Sequence, residues 1–384
     1  MKPIDLPLIE AIGPGGLISD GDWIESKDQD PSGKIRLIQL ADIGDGNFLN
    51  KSRRFVTSET ASRLRCTILI KGDVLIARLP DPIGRACLFP GLNEPAIAAV
   101  DVCIIRPNPE HLRPEWLVGF INSPKTREEI LKHVQGATRA RVPTGKLKQL
   151  RVVRPPIVDQ TTLINSLEAT QAKYGCAMNA LQEQRAEVTR LTHSIIYQSL
   201  ISSGIKKMRI GDILEEVKNG IGDEWKAYPV LGATRQGLAP AKEQPGKTPQ
   251  RYKPAFPGTV FYNPMRIMIG SVAYVDDDDT PGITSPDYVV LRGKPGVTDS
   301  RWFYHWLRSP RGEQCISSLA RGAVRERMLF NRLAEGEIEL PDFSSQERAS
   351  KALAAIKPMR TALEKQLKEL ELMPKKLLAR VFES

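Results

Sequence analysis

This 384-residue chain contains two pairs of arginines whose type and spacing suit a specific binding chemistry better than those of its other side chains. Arg139 and Arg141 stand one residue apart shortly after a glycine, and Arg325 and Arg327 do the same. A guanidinium can donate two parallel hydrogen bonds to a phosphate or to the edge of a guanine. The pairs therefore predict contacts with nucleic acid, and solubilising surface charge is the alternative for any single arginine.

Other polar and basic residues lie close to these pairs in sequence or occupy a second turn in each half of the chain. The formal charge of +10 and the isoelectric point of about 9.3 also favour a polyanionic partner, although a basic protein of another function would carry the same charge. The candidate DNA-contacting residues are Arg78, Arg85, Thr138, Arg139, Arg141, Lys146, Lys148, Arg266, Arg325, Arg327 and Arg332.

Residue patterns typical of catalysis are weak. Residues 241–248 fit a relaxed phosphate-binding loop, but prolines flank the lysine and no helical pattern follows. Residues 261–265 hold only part of an amino-methyltransferase motif, and Glu216 with Lys218 lacks the further carboxylate of a nuclease site. The run 276–279 of aspartates could attract a cation, although its position favours a solvated loop. We predict no catalytic residues, metal or cofactor in this chain, and an enzyme of unrecognised motif is an alternative.

An internal repeat must position the arginine pairs. When the sequence is shifted by 186 positions, residues 72–198 lie over residues 258–384 without a gap. The period is too long for a solenoid, so one domain-plus-helix segment is used twice, which predicts a target in two halves. The loops between matching positions diverge, as expected if each copy reads a different sequence. Identical pairs include Gly72 and Gly258, Asp101 and Asp287, Trp116 and Trp302, Gly136 and Gly322, and Gln160 and Gln346.

Each copy begins with a globular domain, and the predicted fold class is α+β, with two tandem-repeated mixed α/β domains separated by two long helices. Residues 1–157 form the first domain and residues 205–342 the second. A helix is predicted over 114–134, because a proline begins it and an apolar face follows. Short β-branched runs broken by Gly, Pro and Asp-Gly predict strands within 35–43, 67–77, 86–89 and 100–106.

Two long helices are predicted to pair as an antiparallel coiled coil, one over residues 158–204 and the other over residues 343–384. Apolar residues recur every seventh position in the first and at similar spacing in the second. The first helix would span roughly 60 Å, which is too long for the alternative of an amphipathic helix lying on its own domain. Pro358 and Pro374 predict kinks or a short break in the second helix. The predicted coiled-coil residues are Leu167, Tyr174, Leu181, Val188, Ile195, Leu353, Leu363, Leu367, Leu370 and Leu377.

Apolar segments, the first residues and the cysteines indicate the cellular compartment in which the protein is expected. No segment approaches the roughly 20 apolar residues of a membrane span, and residues 1–5 lack the pattern of a signal peptide. The five cysteines form no CxxC pair and are predicted to be free thiols in a reducing environment. We therefore expect a cytoplasmic protein.

The order of these features resembles the specificity (S) subunit of type I restriction-modification systems over essentially the whole chain. Each element is weak alone, but their order, duplicated with a helix after each set, is specific. In the first copy the matching residues are 72–78, Ile83, Gly84, Trp116, Leu117, Asn122, Ser123, Gly136, 150–152, Pro155, Pro156, Asp159 and Gln160. In the second copy they are 258–261, Ile269, Gly270, Trp302, Ser309, Gly322, 338–341 and Gln346.

The resemblance implies a non-catalytic chain with two target recognition domains, each reading one half of a bipartite DNA site. The long helices would set the spacing of the half-sites and dock two methyltransferase subunits, which methylate adenine with S-adenosylmethionine. Motor-nuclease subunits would complete the restriction enzyme, with ATP and Mg²⁺ also on partner subunits. The second copy departs from the family pattern at Asp342, where a second proline is usual, and at Pro374. A protein-binding scaffold with two domains on a coiled coil is the alternative function.

Overall fold

The computed structural model of the chain divides into two compact units, and each unit holds one globular domain with part of each long helix. Unit 1 comprises Met1–Asn179 and Leu367–Ser384, and unit 2 comprises Ala180–Gln366. No helix in the described part of the chain is both long and apolar enough to cross a membrane. The described residues are 3–80, 82–136, 139–201, 204–320 and 327–382.

Domain 1 extends from the first strand to the ninth. Its strands are β1 (Ile4–Pro7), β2 (Leu17–Asp20), β3 (Ile35–Ile38), β4 (Arg54–Val56), β5 (Val74–Ala77), β6 (Ala86–Leu88), β7 (Ala96–Ala98), β8 (Val102–Arg106) and β9 (Arg151–Arg154). Its helices are α1 (Leu8–Ala11), α2 (Ser58–Arg63), α3 (Pro114–Asn122), α4 (Pro124–Lys132) and α5 (Thr144–Lys148), with 3₁₀ turns at Ser26–Asp28 and Leu40–Asp42. The long helix α6 (Ile157–Leu200) follows.

Domain 2 extends from the tenth strand to the last. Its strands are β10 (Lys206–Arg209), β11 (Leu214–Glu216), β12 (Leu231–Thr234), β13 (Gly237–Pro240), β14 (Lys253–Ala255), β15 (Val260–Tyr262), β16 (Val272–Tyr274), β17 (Gly282–Thr284), β18 (Val289–Gly293) and β19 (Glu337–Leu340). Its helices are α7 (Ile210–Ile213), α8 (Ser300–Leu307), α9 (Pro310–Leu319) and α10 (Phe330–Leu333), with 3₁₀ turns at Gly222–Ala227, Pro249–Arg251 and Ile267–Ile269. The helices α11 (Phe343–Glu371) and α12 (Met373–Phe382) follow.

The two domains share their central sheet. In domain 1 an antiparallel four-stranded sheet has the order β2-β8-β5-β6, and in domain 2 the order is β11-β18-β15-β16. A two-stranded sheet also joins the first and last strand of each domain, β1 with β9 and β10 with β19. Around these sheets the domains differ, because domain 1 adds the sheet β4-β3-β7 and domain 2 adds the pairs β12-β13 and β14-β17. The predicted duplication of a mixed α/β domain is confirmed.

The central strand β5 is apolar throughout because each of its faces is covered by a different core. Val74 and Ile76 pack with α3, which contributes the buried Trp116, whereas Leu75 and Ala77 face a second core shared with β7. Side chains alternate between the faces of a strand, so a strand covered on both sides reads as a continuous apolar run. The equivalent strand β15 divides its side chains between two cores in the same way.

The single helix predicted over 114–134 is two helices. Ser123 has extended backbone dihedrals (φ −65°, ψ 147°), so α3 ends at Asn122 and α4 begins at Pro124. A residue that precedes proline is disfavoured in the helical region, which explains the break. In the second long helix, α11 continues through Pro358, and the predicted short break occurs at Leu372, two residues before Pro374.

The long helices run antiparallel within each unit. In unit 1, Leu167 near the start of α6 and Phe382 at the end of α12 both approach Gly119 of α3. In unit 2, Ile196 and Leu200 at the end of α6 share a core with the start of α11. The predicted heptad residues divide by burial: Leu167, Val188, Leu353, Leu363 and Leu367 are buried, and Tyr174, Leu181, Ile195, Leu370 and Leu377 are half-buried.

A buried glutamine joins each domain to the long helix that follows it. The side-chain oxygen of Gln160 accepts a hydrogen bond from the backbone N–H of Arg113 (2.8 Å), and its amide donates to the carbonyl oxygens of His111 and Pro155. Gln346 makes the three equivalent bonds, one from the N–H of Asp299 (3.0 Å) and two to backbone carbonyls. The same contacts therefore set the start of α3 and of α8 against a long helix.

Candidate nucleic-acid interface

Three segments of each domain meet beside the central sheet and form the candidate interface. They are the turn after β5 or β15, the turn before β8 or β18, and the segment that carries Arg141 or Arg327. In domain 1 the backbone N–H of Val142 donates to the carbonyl of Arg78, and in domain 2 that of Met328 donates to the carbonyl of Pro264, both at 3.1 Å. These residues correspond under the repeat, so both domains place the arginine segment against the same turn.

The recurring arginines contact a recurring aspartate. Nη1 of Arg141 lies 3.9 Å from Oδ1 of Asp101, and Nη1 of Arg327 lies 3.8 Å from Oδ1 of Asp287. Arg139 pairs with Asp101 as well, while its own side chain stays 65% exposed. Asp101 is buried and Asp287 is exposed, but in both domains the guanidinium groups that they pair with remain at the surface.

The remaining candidates near the arginine pairs are spread over surface and interior. Lys146 is exposed and Lys148 half-buried on α5, the helix that follows the first pair. The half-buried Arg332 uses Nε to donate to the carbonyl of Leu319 (2.7 Å), so it holds α10 to the end of α9. Thr138 and Arg325 lie outside the described residues.

Arg78 and Arg85 do not occupy the surface that their prediction requires. Arg78 is 2% exposed, and its guanidinium donates to the carbonyl of Val100 (2.5 Å) and pairs with Asp20. Arg85 is 8% exposed and donates to backbone carbonyls that include that of Ile43 (2.7 Å). Buried carbonyls need donors, and the several N–H groups of one guanidinium can satisfy more than one of them. We therefore assign both arginines to the internal structure of the turn.

The equivalent turn of domain 2 presents a different surface. Pro264 and Ser271 stand where domain 1 has its two buried arginines, and Arg266 between them is exposed. Met265, Met268 and Ile269 are also exposed, by 66%, 53% and 65% of their surface. These apolar residues are not among the predicted DNA contacts, although three large apolar side chains within five residues of sequence are a pattern that the sequence shows.

The acidic run Asp276–Asp279 is occupied by cationic side chains of the same unit. Asp277 pairs with Arg301 of α8 (3.0 Å), and Asp279 pairs with Lys357 of α11 (2.9 Å). Asp276 pairs with both cations. Among the described residues no cluster of His, Cys, Asp or Glu could hold a metal ion. Asp277 and Asp278 remain exposed, as predicted for a solvated loop, while the ion pairs to Lys357 tie domain 2 to the middle of α11.

Other sequence signals have structural explanations. Residues 241–248 lead into a three-residue 3₁₀ turn at Pro249–Arg251, which is too short to provide the helix N-terminus of a phosphate-binding loop. The cysteines are free thiols, as predicted. Burial raises the pKa of Cys87 and of Cys103 to about 12, so neither is a reactive thiolate.

Known proteins resemble the chain along most of its length. No model of a protein family matches it. It is 22% identical over 337 residues to the putative type I restriction enzyme MjaX specificity subunit of Methanocaldococcus jannaschii, an alignment that covers 81% of this chain and 77% of that protein. The predicted resemblance is thereby confirmed, and a non-catalytic chain is what this resemblance implies.

Solved structures share the fold. A chain of a type I R-M system, solved in a study of its complex assembly and conformational transition, superposes with a TM-score of 0.65 at 16% identity, covering 96% of this chain and 98% of that one. The HsdS subunit of Thermoanaerobacter tengcongensis gives 0.51 at 17% identity, with 96% and 97% covered. The type I restriction-modification S subunit of M. genitalium gives 0.51 at 13% identity, with 100% and 96% covered. The predicted fold class is confirmed.

Proposed function

We propose that this chain, which has the fold of type I specificity subunits, is the DNA-recognition subunit of a type I restriction-modification enzyme, in which each domain reads one half of a bipartite site. The observation that carries the proposal is the arginine–aspartate arrangement at equivalent positions of both domains, beside turns that differ. A shared orientation of Arg141 and Arg327 gives both domains the same approach to DNA. The different turns allow each domain to recognise a different DNA sequence.

Affinity and sequence choice come from different contacts in this proposal. Basic side chains of both domains contact phosphates, so binding weakens as the salt concentration rises. The excess of 55 Lys and Arg over 45 Asp and Glu supports this contribution. Side chains of the turns contact base edges in the major groove, where each base pair shows a distinct pattern of donors and acceptors.

The long helices set the distance between the half-sites and dock two methyltransferase subunits. The half-buried Tyr174 and Leu181 and the exposed Leu191 support this role, because they leave apolar surface on α6 for a partner. The partner subunits bring S-adenosylmethionine, ATP and Mg²⁺, and the methyltransferases flip the target adenine out of the helix. Motor-nuclease subunits complete the enzyme, which acts in the cytoplasm.

Methylation mapping tests the proposal. The chain is co-expressed with its methyltransferase subunit, and the host DNA is sequenced for modified adenine. A split motif with a fixed spacer is expected, and replacing residues 205–341 by those of a homologous chain should change one half of the motif only. A soluble complex that modifies no adenine would contradict the proposal and favour a protein-binding scaffold.

A further inference from the structure

The turn between β15 and β16 is an ordered apolar surface in domain 2. Its three exposed apolar residues, Met265, Met268 and Ile269, lie within five residues of sequence. The corresponding turn of domain 1 keeps its large aliphatic side chains, Leu79 and Ile83, buried at 8% and 7% exposure. Clustered exposure of large apolar side chains on a soluble domain commonly marks a binding surface.

The turn is held in one shape by hydrogen bonds at both ends. At its start, the side chain of Asn263 accepts from the N–H of Met265 (3.0 Å), and Pro264 accepts from Met328 (3.1 Å). At its end, Arg308 donates to the carbonyl of Gly270 (3.4 Å). Its apolar side chains are therefore presented outward by a fixed backbone, which reduces the entropy lost when they bind a partner.

Positive charge surrounds this apolar surface. Arg266 is exposed within the turn, and the exposed Arg235 lies beside its end, since a Cβ added at Gly270 would be 3.6 Å from Cγ of Arg235. Arg327 follows on the neighbouring segment, and the adjoining groove of about 460 Å³ holds one acidic residue, Glu313. A partner for this surface combines dense negative charge with exposed apolar groups.

We infer that the turn contacts base pairs directly and that its apolar side chains pack against the 5-methyl groups of thymine. Duplex DNA fits both requirements, because the thymine methyl is the apolar group that a base pair presents in the major groove. Phosphate contacts alone would give Met268 and Ile269 nothing to pack against. The inference rests on the proposed function and adds to it the base chemistry that domain 2 reads.

The first test replaces the apolar side chains in the full chain. Met268→Ser and Ile269→Ser are expressed with the methyltransferase subunit, and the methylated motif is mapped. We expect relaxed preference for an A·T pair at one or two positions of the half-site assigned to domain 2, with the other half-site unchanged. Ile70→Ser, which changes an exposed residue of domain 1 outside the turn, should leave both half-sites unchanged.

The second test removes the methyl group from the DNA. Uracil replaces thymine at each relaxed position, and the affinity of the wild-type complex is measured at constant salt. Loss of one buried methyl should weaken binding about four-fold, and the serine variants should not distinguish the two bases. Because these side chains are exposed, we expect the serine variants to fold, and thermal unfolding checks this.

Two outcomes would overturn the inference while leaving the proposed function in place. One is an unchanged motif in both serine variants, and the other is equal affinity for thymine and uracil at every position of the half-site. A wild-type chain that directs no methylation would instead contradict the proposed function, and the inference would fall with it.

Discussion

Domain 1 and domain 2 are joined to the long helices by the same glutamine contacts, yet domain 2 adds a charged network at this junction. There, Arg301 and Lys357 share the carboxylates of Asp276–Asp279. In domain 1 the positions equivalent to Asp276, Arg301 and Lys357 are occupied by Pro90, Glu115 and Gln171, which cannot form such a network.

The difference separates contacts that the scaffold requires from contacts that it tolerates. Gln160 and Gln346 are fully buried, so their loss would leave backbone groups without water or partners. The charged network has no counterpart in domain 1, and its outer carboxylates, Asp277 and Asp278, are exposed, where an ion pair contributes little. The repeat within one chain therefore shows both kinds of contact under the same fold, and the following substitutions test the distinction.

Removal of the repeated tryptophan should have the largest effect. Trp302→Ala and Trp116→Ala are each expected to lower the free energy of unfolding by about 3–5 kcal/mol, because each side chain fills a domain core. The loss should be about 1 kcal/mol larger for Trp302, whose Nε1 donates to the hydroxyl of Ser199 (2.9 Å), whereas Nε1 of Trp116 has no acceptor among the described residues. Denaturant unfolding measures both, and equal losses would show that this hydrogen bond is not significant.

The repeated glutamine should come next and should act equally in both domains. Gln160→Ala and Gln346→Ala each unpair one backbone N–H and two carbonyls, so we expect about 2–3 kcal/mol of destabilisation in either case. Gln171→Ala, on the exposed surface of α6, is the control and should change stability by less than about 0.5 kcal/mol. Clearly unequal losses at 160 and 346 would contradict the equivalence of the two junctions.

The charged network should contribute less and should respond to salt and acid. Lys357→Met is expected to destabilise domain 2 by about 1 kcal/mol at low salt and by less at high salt, whereas Gln171→Met at the equivalent position should be neutral.

Burial raises the pKa of Asp276, but the hydrogen bond from Arg301 and the charge of Lys357 outweigh it, so the pKa is lowered overall. The contribution is therefore complete above about pH 4 and is lost as the pH falls through the lowered pKa. Unfolding of the wild type and Lys357→Met at pH 7 and pH 3 measures this, and the same difference at both pH values would contradict the assignment.

The repeat made the domain order and the long helices predictable, because apolar periodicity and matching positions are properties of the sequence itself. The direction of individual arginine side chains was not predictable. Arg78 and Arg139 both lie in turns, but the first faces buried carbonyls and the second faces solvent. Which carbonyls need a donor depends on tertiary packing, and the same packing decides that Lys357 meets the acidic run and that Met268 does not turn inward.

The arginine pairs should show the smallest effect on stability and a clear effect on DNA binding. Arg141→Ala and Arg327→Ala remove ion pairs longer than 3.5 Å, so stability should change by less than about 0.5 kcal/mol. Loss of a base contact should cost about 1–3 kcal/mol of binding free energy and relax one position of one half-site. Loss of a phosphate contact should instead weaken binding to all sequences alike and reduce the salt dependence.

Asp101→Asn and Asp287→Asn sharpen this last comparison, because they keep the arginines and remove the charge that orients them. If orientation is the role of the aspartates, each variant should weaken binding less than the arginine substitution in its own domain. Asp101 is the more buried of the two carboxylates and pairs with two arginines, so its variant should lose more affinity than Asp287→Asn. Binding measured with both half-sites present, and again with each altered in turn, assigns the loss to one domain. Unchanged binding in all four variants would mean that the recurring pairs stabilise loops and that other side chains read the DNA.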